Sequence, residues 1–238
     1  MKSVLITGGT VRLGKAIAER LRAEGWRVIT SSHRPDAGAD IVADLAEPMG
    51  AAKLYAATLQ MLGGMPPDAL VNNAALFTGD EAAIRAVNLE APKKLTMLMA
   101  GRETGVGAVV NILDAGASDS RRSCDSSRAA SGYLASKREL AVFTRSAAAT
   151  FAGTLRVNAV APGPALLEPL ELPESLAAAS RIFTTAPTPA SRPAISIVSF
   201  FGASRLTAAI AAAAPVKSAA LLTSASGGIP PRICSAAA

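Results

Sequence analysis

Cysteine, histidine and aromatic residues are scarce in this chain of 238 residues: two Cys, one His, and 4% aromatics. Cys124 and Cys234 cannot build a disulfide framework, and with His33 as the single imidazole they do not make a metal site either. No apolar run reaches the length of a membrane span. The most apolar stretch, 206–222, is interrupted by Pro215 and Lys217. Met1-Lys2 and the five apolar or small residues that follow are too short for a signal peptide and serve better as a first strand, so a cytoplasmic location is expected. Acidic residues stop at Glu174. Beyond it come only Arg181, Arg192, Arg205, Lys217 and Arg232, which carry most of the net charge of +6. They are scattered among Ala, Ser and Pro without aromatic interleaving, which argues against a nucleic-acid surface.

Half of the residues are hydrophobic, enough for one ordinary globular domain over 1–238 with a full-sized core. Short β-rich runs alternate with helical patterns. Strands are expected near 3–7, 26–31, 40–43, 68–72, 106–113 and 155–160, and helices near 12–24, 47–62, 80–100, 131–151 and 173–183. That order predicts an α/β fold: a Rossmann-type, doubly wound parallel sheet with helices on both faces.

The first strand, Val4-Leu5-Ile6-Thr7, runs directly into Gly8-Gly9-Thr10-Val11-Arg12-Leu13-Gly14 and then a helical pattern. Strand, glycine turn and helix together are the setting in which a backbone cradles a pyrophosphate. Gly8 permits the turn, Gly14 allows close approach, and the helix N-terminus offers free N–H groups. Further on, Val110-Asn111-Ile112-Leu113-Asp114 precedes Tyr133-Leu134-Ala135-Ser136-Lys137. Tyr133 and Lys137 stand at i and i+4, so a helix puts them on one face. Moving a phenol from about 10 to about 7 requires roughly 4 kcal/mol. A cation about 4 Å away at an effective dielectric near 20 supplies that much. The spacing therefore suggests a tyrosine proton donor tuned towards neutral pH.

Thr7-Gly8-x5-Gly14, Asn72-Asn73-Ala74-Ala75, Asn88, Tyr133-x3-Lys137 and Arg156-Val157-Asn158-Ala159-Val160-Ala161-Pro162-Gly163 resemble, in order, the signatures of the short-chain dehydrogenase/reductase family. The resemblance covers roughly residues 1–170. Three departures narrow it. Asp114 stands where the family usually has serine, Leu76-Phe77 follows the Asn-Asn-Ala segment, and Ser32-His33-Arg34 follows the second strand, with Arg12 inside the glycine loop. Together these resemble the pteridine reductases and dihydromonapterin reductases. A carboxyl can pass or orient a proton at a ring nitrogen, as C=N reduction needs, and Phe77 offers a flat face to a bicyclic pterin.

The resemblance implies a catalytic set of Asp114, Tyr133, Lys137 and Asn88, the last holding a water relay behind the lysine. It implies cofactor contacts from Gly8, Thr10, Arg12, Leu13, Gly14, His33, Arg34, Asp44, Leu45, Asn73, Ala74, Lys137, Pro162 and Gly163. Substrate would meet Arg12, Phe77, Asp114 and Tyr133. No acid closes the second strand before Asp36, and a basic residue there accommodates a 2′-phosphate, so NADPH/NADP+ is the expected cofactor. The expected partner is a pterin-like small molecule, with self-association as a dimer or tetramer through the helices around 80–100 and 131–151. Two alternatives stand beside pterin reduction: a reductase of a 3-oxoacyl thioester or small ketone, and an NADPH-binding sensor without turnover.

Two segments depart from the family. The stretch between Asp114 and Tyr133 is about six residues longer than usual and holds Arg121-Arg122-Ser123-Cys124. The tail lacks acid and offers only Ser226-Gly227-Gly228 for a closing strand signal. A shifted reading frame and genuine divergence both account for them. The longer loop also makes Ser120 a rival to Asp114, because it sits thirteen residues before Tyr133.

Overall fold

The computed structural model describes residues 1–103, 105–118, 128–162, 180–185 and 195–200. Six strands lie parallel: β1 (Ser3–Thr7), β2 (Arg27–Ser32), β3 (Ile41–Val42), β4 (Ala69–Asn72), β5 (Gly107–Ile112) and β6 (Leu155–Ala161). The helices are α1 (Arg12–Ala23), α2 (Gly50–Met61), α3 (Glu81–Arg85), α4 (Ala91–Ala100) and α5 (Arg128–Thr150). The strand order 3-2-1-4-5-6 reverses direction between β1 and β4. The ends of β1, β2, β4, β5 and β6 therefore open on a common edge, where such sheets hold ligands.

Alternation along the buried strands assigns each face its own core. Leu5, Leu70, Val109 and Val157 pack towards α2, α4 and α5, with Leu54, Tyr55, Leu95 and Met99. Val4, Ile6, Val71 and Val110 pack on the opposite face with Ile17, Ala18 and Leu21 of α1. Every residue of β1, β4 and β5 is buried, as expected of parallel strands covered on both faces. Truncating a central residue such as Leu5, fully buried, to alanine costs about 2–5 kcal/mol.

The expected α/β fold with its parallel sheet is present, and two helix expectations need revision. The helix foreseen over 80–100 is divided by a π-helical turn, Ala86–Glu90, that carries Asn88. Pro92 explains part of this, since it has no N–H to donate back into the preceding turn. The helix foreseen over 173–183 is a strand where it is described: β7 (Ser180–Thr185) pairs antiparallel with β6, Ile182 opposite Val160. The alanines at 177–179 suggest a helix, but Ile182, Phe183, Thr184 and Thr185 are β-formers and follow the sheet. A further strand, β8 (Ile195–Phe200), pairs antiparallel with β7, so the sheet is parallel only through its first six strands. Residues 173–179, Ser120, Gly163, both cysteines and Ser226-Gly227-Gly228 lie outside the described residues.

Candidate active site

The glycine turn is built to press backbone against backbone. Gly8 adopts φ +62°, the left-handed region. A Cβ on Gly14 would sit 2.1 Å from the Gly8 carbonyl oxygen and 2.5 Å from Asn73 Nδ2, so only glycine fits. Asn73 Nδ2 donates to the carbonyls of Thr7 and Gly8, both at 3.0 Å. Thr7 Oγ1 accepts from the amides of Asn73 and Ala74. Asn73 thus braces the turn with its own amide rather than holding it free. No side chain caps α1 and no acid stands in its first turn, which leaves the partial positive charge of the helix start for an anion. Arg12 alone among described non-glycine residues has positive φ, +47°, a conformation that costs an L-residue about 1 kcal/mol.

The turn after β2 is organised by serine. Ser32 Oγ accepts from the Arg34 amide at 3.1 Å, and Thr30 is clipped through its N–H and hydroxyl to Asp40 at 2.7 and 2.6 Å. Ser31, Ser32, His33 and Arg34 line one end of the cavity, as do Asp44 and Leu45, which follow the neighbouring β3.

At the other end three groups converge from two elements. Asp114 follows β5, and its carboxylate accepts from the Gly116 amide at 2.7 Å and from Tyr133 Oη at 3.1 Å. Lys137, one turn along α5 from Tyr133, is buried, and its Nζ donates to the Ile112 carbonyl at 2.8 Å. Phe77 lies over the Tyr133 ring with centroids 4.6 Å apart and planes 24° from parallel. Burial pulls the Lys137 ammonium down to about 8, against the Asp114 charge, which favours it. Burial pushes the Tyr133 phenol up, and the neighbouring Asp114 carboxylate adds to that through charge and hydrogen bond. This corrects the expectation of a phenol tuned to neutrality by Lys137. The ammonium is 5.7 Å from the ring centroid and spends a proton on Ile112, whereas the group touching the hydroxyl is anionic.

Through its side chain, Asn88 has a bracing task of its own. It does not line the cavity; it is fully buried, accepts from the Leu76 amide at 2.8 Å, and donates to the Leu76 carbonyl at 2.9 Å and to Ser136 Oγ at 3.2 Å. Its side chain clamps the backbone just before Phe77, and no bond from it to Lys137 is seen. Ser136 Oγ in turn donates to the Tyr133 carbonyl at 2.6 Å, so Asn88 links the Phe77 loop to the helix bearing Tyr133.

A cavity of about 620 Å³ joins both ends. Gly8, Thr10, Arg12, Leu13, Gly14, Asn73, Ala74 and Pro162 line it, as do Phe77, Asp114, Tyr133 and Lys137. Gly163 lies outside the described residues. Sequence reasoning missed the Ile112 carbonyl and Ser136, because a main-chain acceptor and a buried hydroxyl leave no mark in a pattern. An elongated cleft with a glycine-walled, uncapped helix start at one end fits a nicotinamide dinucleotide. Among the described residues no group of acids, histidines and cysteines could hold a metal ion, and no helix is long and apolar enough to cross a membrane.

Comparison with known proteins agrees with this geometry. The short chain dehydrogenase family profile matches residues 2–169. The chain is 30% identical to Protein FixR of Bradyrhizobium diazoefficiens over 189 residues, covering 68% of this chain and 66% of that one. It thus spans slightly less than two thirds of that relative. It is 31% identical to the granaticin polyketide synthase putative ketoacyl reductase 2 of Streptomyces violaceoruber, covering 67% and 71%. Among solved structures it resembles FolM alternative dihydrofolate reductase 1 from Brucella canis complexed with NADP. That match has 32% identity and a TM-score of 0.57, over 68% of this chain and 73% of that one. With the family's strand order, its glycine turn and its tyrosine–lysine helix in place, the chain belongs to the short-chain dehydrogenase family of oxidoreductases.

Proposed function

We propose that this protein is an NADPH-dependent reductase of a pterin or dihydropterin. The observation that carries the reading is the Asp114 carboxylate hydrogen-bonded to Tyr133 Oη beneath the Phe77 ring. When bound, the nicotinamide supplies a hydride. The protein's part is to hold the acceptor ring flat and deliver protons to its nitrogen. Asp114 and Tyr133 form a two-membered relay ending at the cavity, with Asp114 steadied by the Gly116 amide. Phe77, about half exposed, presents its remaining face to a bicyclic ring. Lys137 has three donors and uses one on Ile112, which leaves others for the ribose hydroxyls.

His33 and Arg34 would take the 2′-phosphate of NADPH, since no acid stands where an NAD enzyme would bind the ribose. Gly8, Thr10, Leu13 and Gly14 would hold the pyrophosphate, and Asp44 and Leu45 the adenine. Arg12, kept in a conformation that suits glycine, would reach the pyrophosphate or the pterin edge. Self-association through α4 and α5 belongs to the same proposal. Each carries an exposed large apolar side chain, Met97 and Val142, as an intersubunit contact requires.

A ketone reductase is the second reading, because a tyrosine hydroxyl also serves a carbonyl oxygen and a similar protein is named a putative ketoacyl reductase. Following NADPH oxidation with dihydrobiopterin beside an acetoacetyl thioester decides between them. The pterin reading expects turnover of the first and little of the second. Turnover of the thioester alone would replace it, and tight NADPH binding with neither would leave a sensor.

A further inference from the structure

We infer that Thr144, acting through Asn111 and Asn72, is a positioning residue that sets the height of α5, and with it Tyr133 and Lys137, against the sheet. The inference rests on the proposed roles of those two side chains. Asn72 and Asn111 face each other on adjacent strands. Asn72 Nδ2 donates to Asn111 Oδ1 at 2.8 Å, Asn111 Nδ2 donates to Thr144 Oγ1 at 2.9 Å, and Thr144 Oγ1 donates to the Leu140 carbonyl at 2.7 Å. All three side chains are buried. The chain runs from β4 through β5 into α5 without a break.

Its place relative to the site gives it a function. Thr144 follows Lys137 by seven residues, two turns, so both lie on the face of α5 that meets β5. Lys137 binds the Ile112 carbonyl, and Asn111 is the preceding residue. The helix is therefore tied to one strand at two polar points, roughly 10 Å apart along its axis. Apolar packing alone, through Leu140 and Ala147, has no direction and permits sliding; hydrogen bonds fix the register. The arrangement also has a cost. Asn72 Oδ1 is buried with no protein partner, which typically costs about 1–3 kcal/mol. A core selected for stability alone would place apolar residues here. Small displacements of a proton donor matter, since about 1 Å can change a rate by on the order of a hundredfold.

The test compares Thr144→Val, Thr144→Cys and Thr144→Ser by two readouts. The first is kcat against KM for whichever substrate the wild type reduces. The second is the rate at which acetic anhydride labels Lys137 in cofactor-free protein. Valine is expected to lower kcat about tenfold with KM for NADPH nearly unchanged, to accelerate labelling of Lys137 several-fold, and to be rescued by serine, with cysteine between. Equal kcat and equal labelling in all variants would overturn the inference, and so would a loss that serine fails to rescue. If valine prevents folding, the order of cysteine and serine decides in the same way. A wild type without turnover would remove the proposed activity, and the labelling rates would still decide the positioning role.

Discussion

Tyr133 Oη lies 3.1 Å from Asp114 Oδ2 and donates to it, so the hydroxyl that would protonate a substrate is already paired with a carboxylate. A negative charge beside a phenol opposes its ionisation, and burial acts in the same direction. Tyr133 is thus held as a neutral donor beside the Asp114 carboxylate. Removing the donor should leave binding intact and stop the chemistry. Tyr133→Phe is expected to lower kcat by on the order of 10²–10⁴, while NADPH binding, read by cofactor fluorescence, stays near wild type.

Lys137 provides a pH signature. Burial lowers it in the folded protein to about 8, below the ordinary lysine value near 10.4 that the unfolded chain keeps. Between these values the unfolded chain binds more protons than the native one, so this group adds stability as pH rises from 8 towards 10. The contribution is lost as pH falls through about 8. Relative to Lys137→Met, the wild type should gain on the order of 2 kcal/mol across that window, read as the difference of their melting temperatures at each pH. A constant difference would contradict the assigned burial of the ammonium.

Gly14 tests the turn. Its missing Cβ would lie 2.1 Å from the Gly8 carbonyl oxygen, and backbone cannot yield as a flexible side chain can. Gly14→Ala should destabilise by about 1–3 kcal/mol or more and weaken cofactor binding severely. Both effects are measurable by thermal unfolding with and without NADPH.

Arg34 tests cofactor choice. A charge-assisted contact to phosphate contributes about 1.5–3 kcal/mol, so Arg34→Ala should weaken NADPH binding by roughly 10- to 100-fold. NADH binding should be left nearly unchanged. Equal losses for both cofactors would place the 2′-phosphate elsewhere.

Much of the frame was legible before coordinates. Each of the six parallel strands is a short β-rich run between turn signals, and the glycine turn and Tyr133-x3-Lys137 fall where their spacing suggested. The gaps share a physical cause. The sequence singles out Asn88 but not its clamp on Leu76, which is made from the π turn at 86–90. Lys137 and Tyr133 share a helix face as the i,i+4 rule requires, but which partner each chooses depends on a main-chain carbonyl of β5 and a carboxylate that follows it. The β7 strand was hidden because Ser180–Thr185 follows an alanine-rich run and is specified by its pairing with β6. Local pattern sees neighbours along the chain, and these choices are made across it.

The most direct test of the central claim is dihydropterin-dependent NADPH oxidation by Asp114→Asn beside Ser120→Ala. The asparagine keeps the size of the side chain but cannot relay a proton, so that variant should lose at least about a hundredfold in kcat while Ser120→Ala retains activity. Full pterin reduction by Asp114→Asn, with loss in Ser120→Ala, would contradict the account.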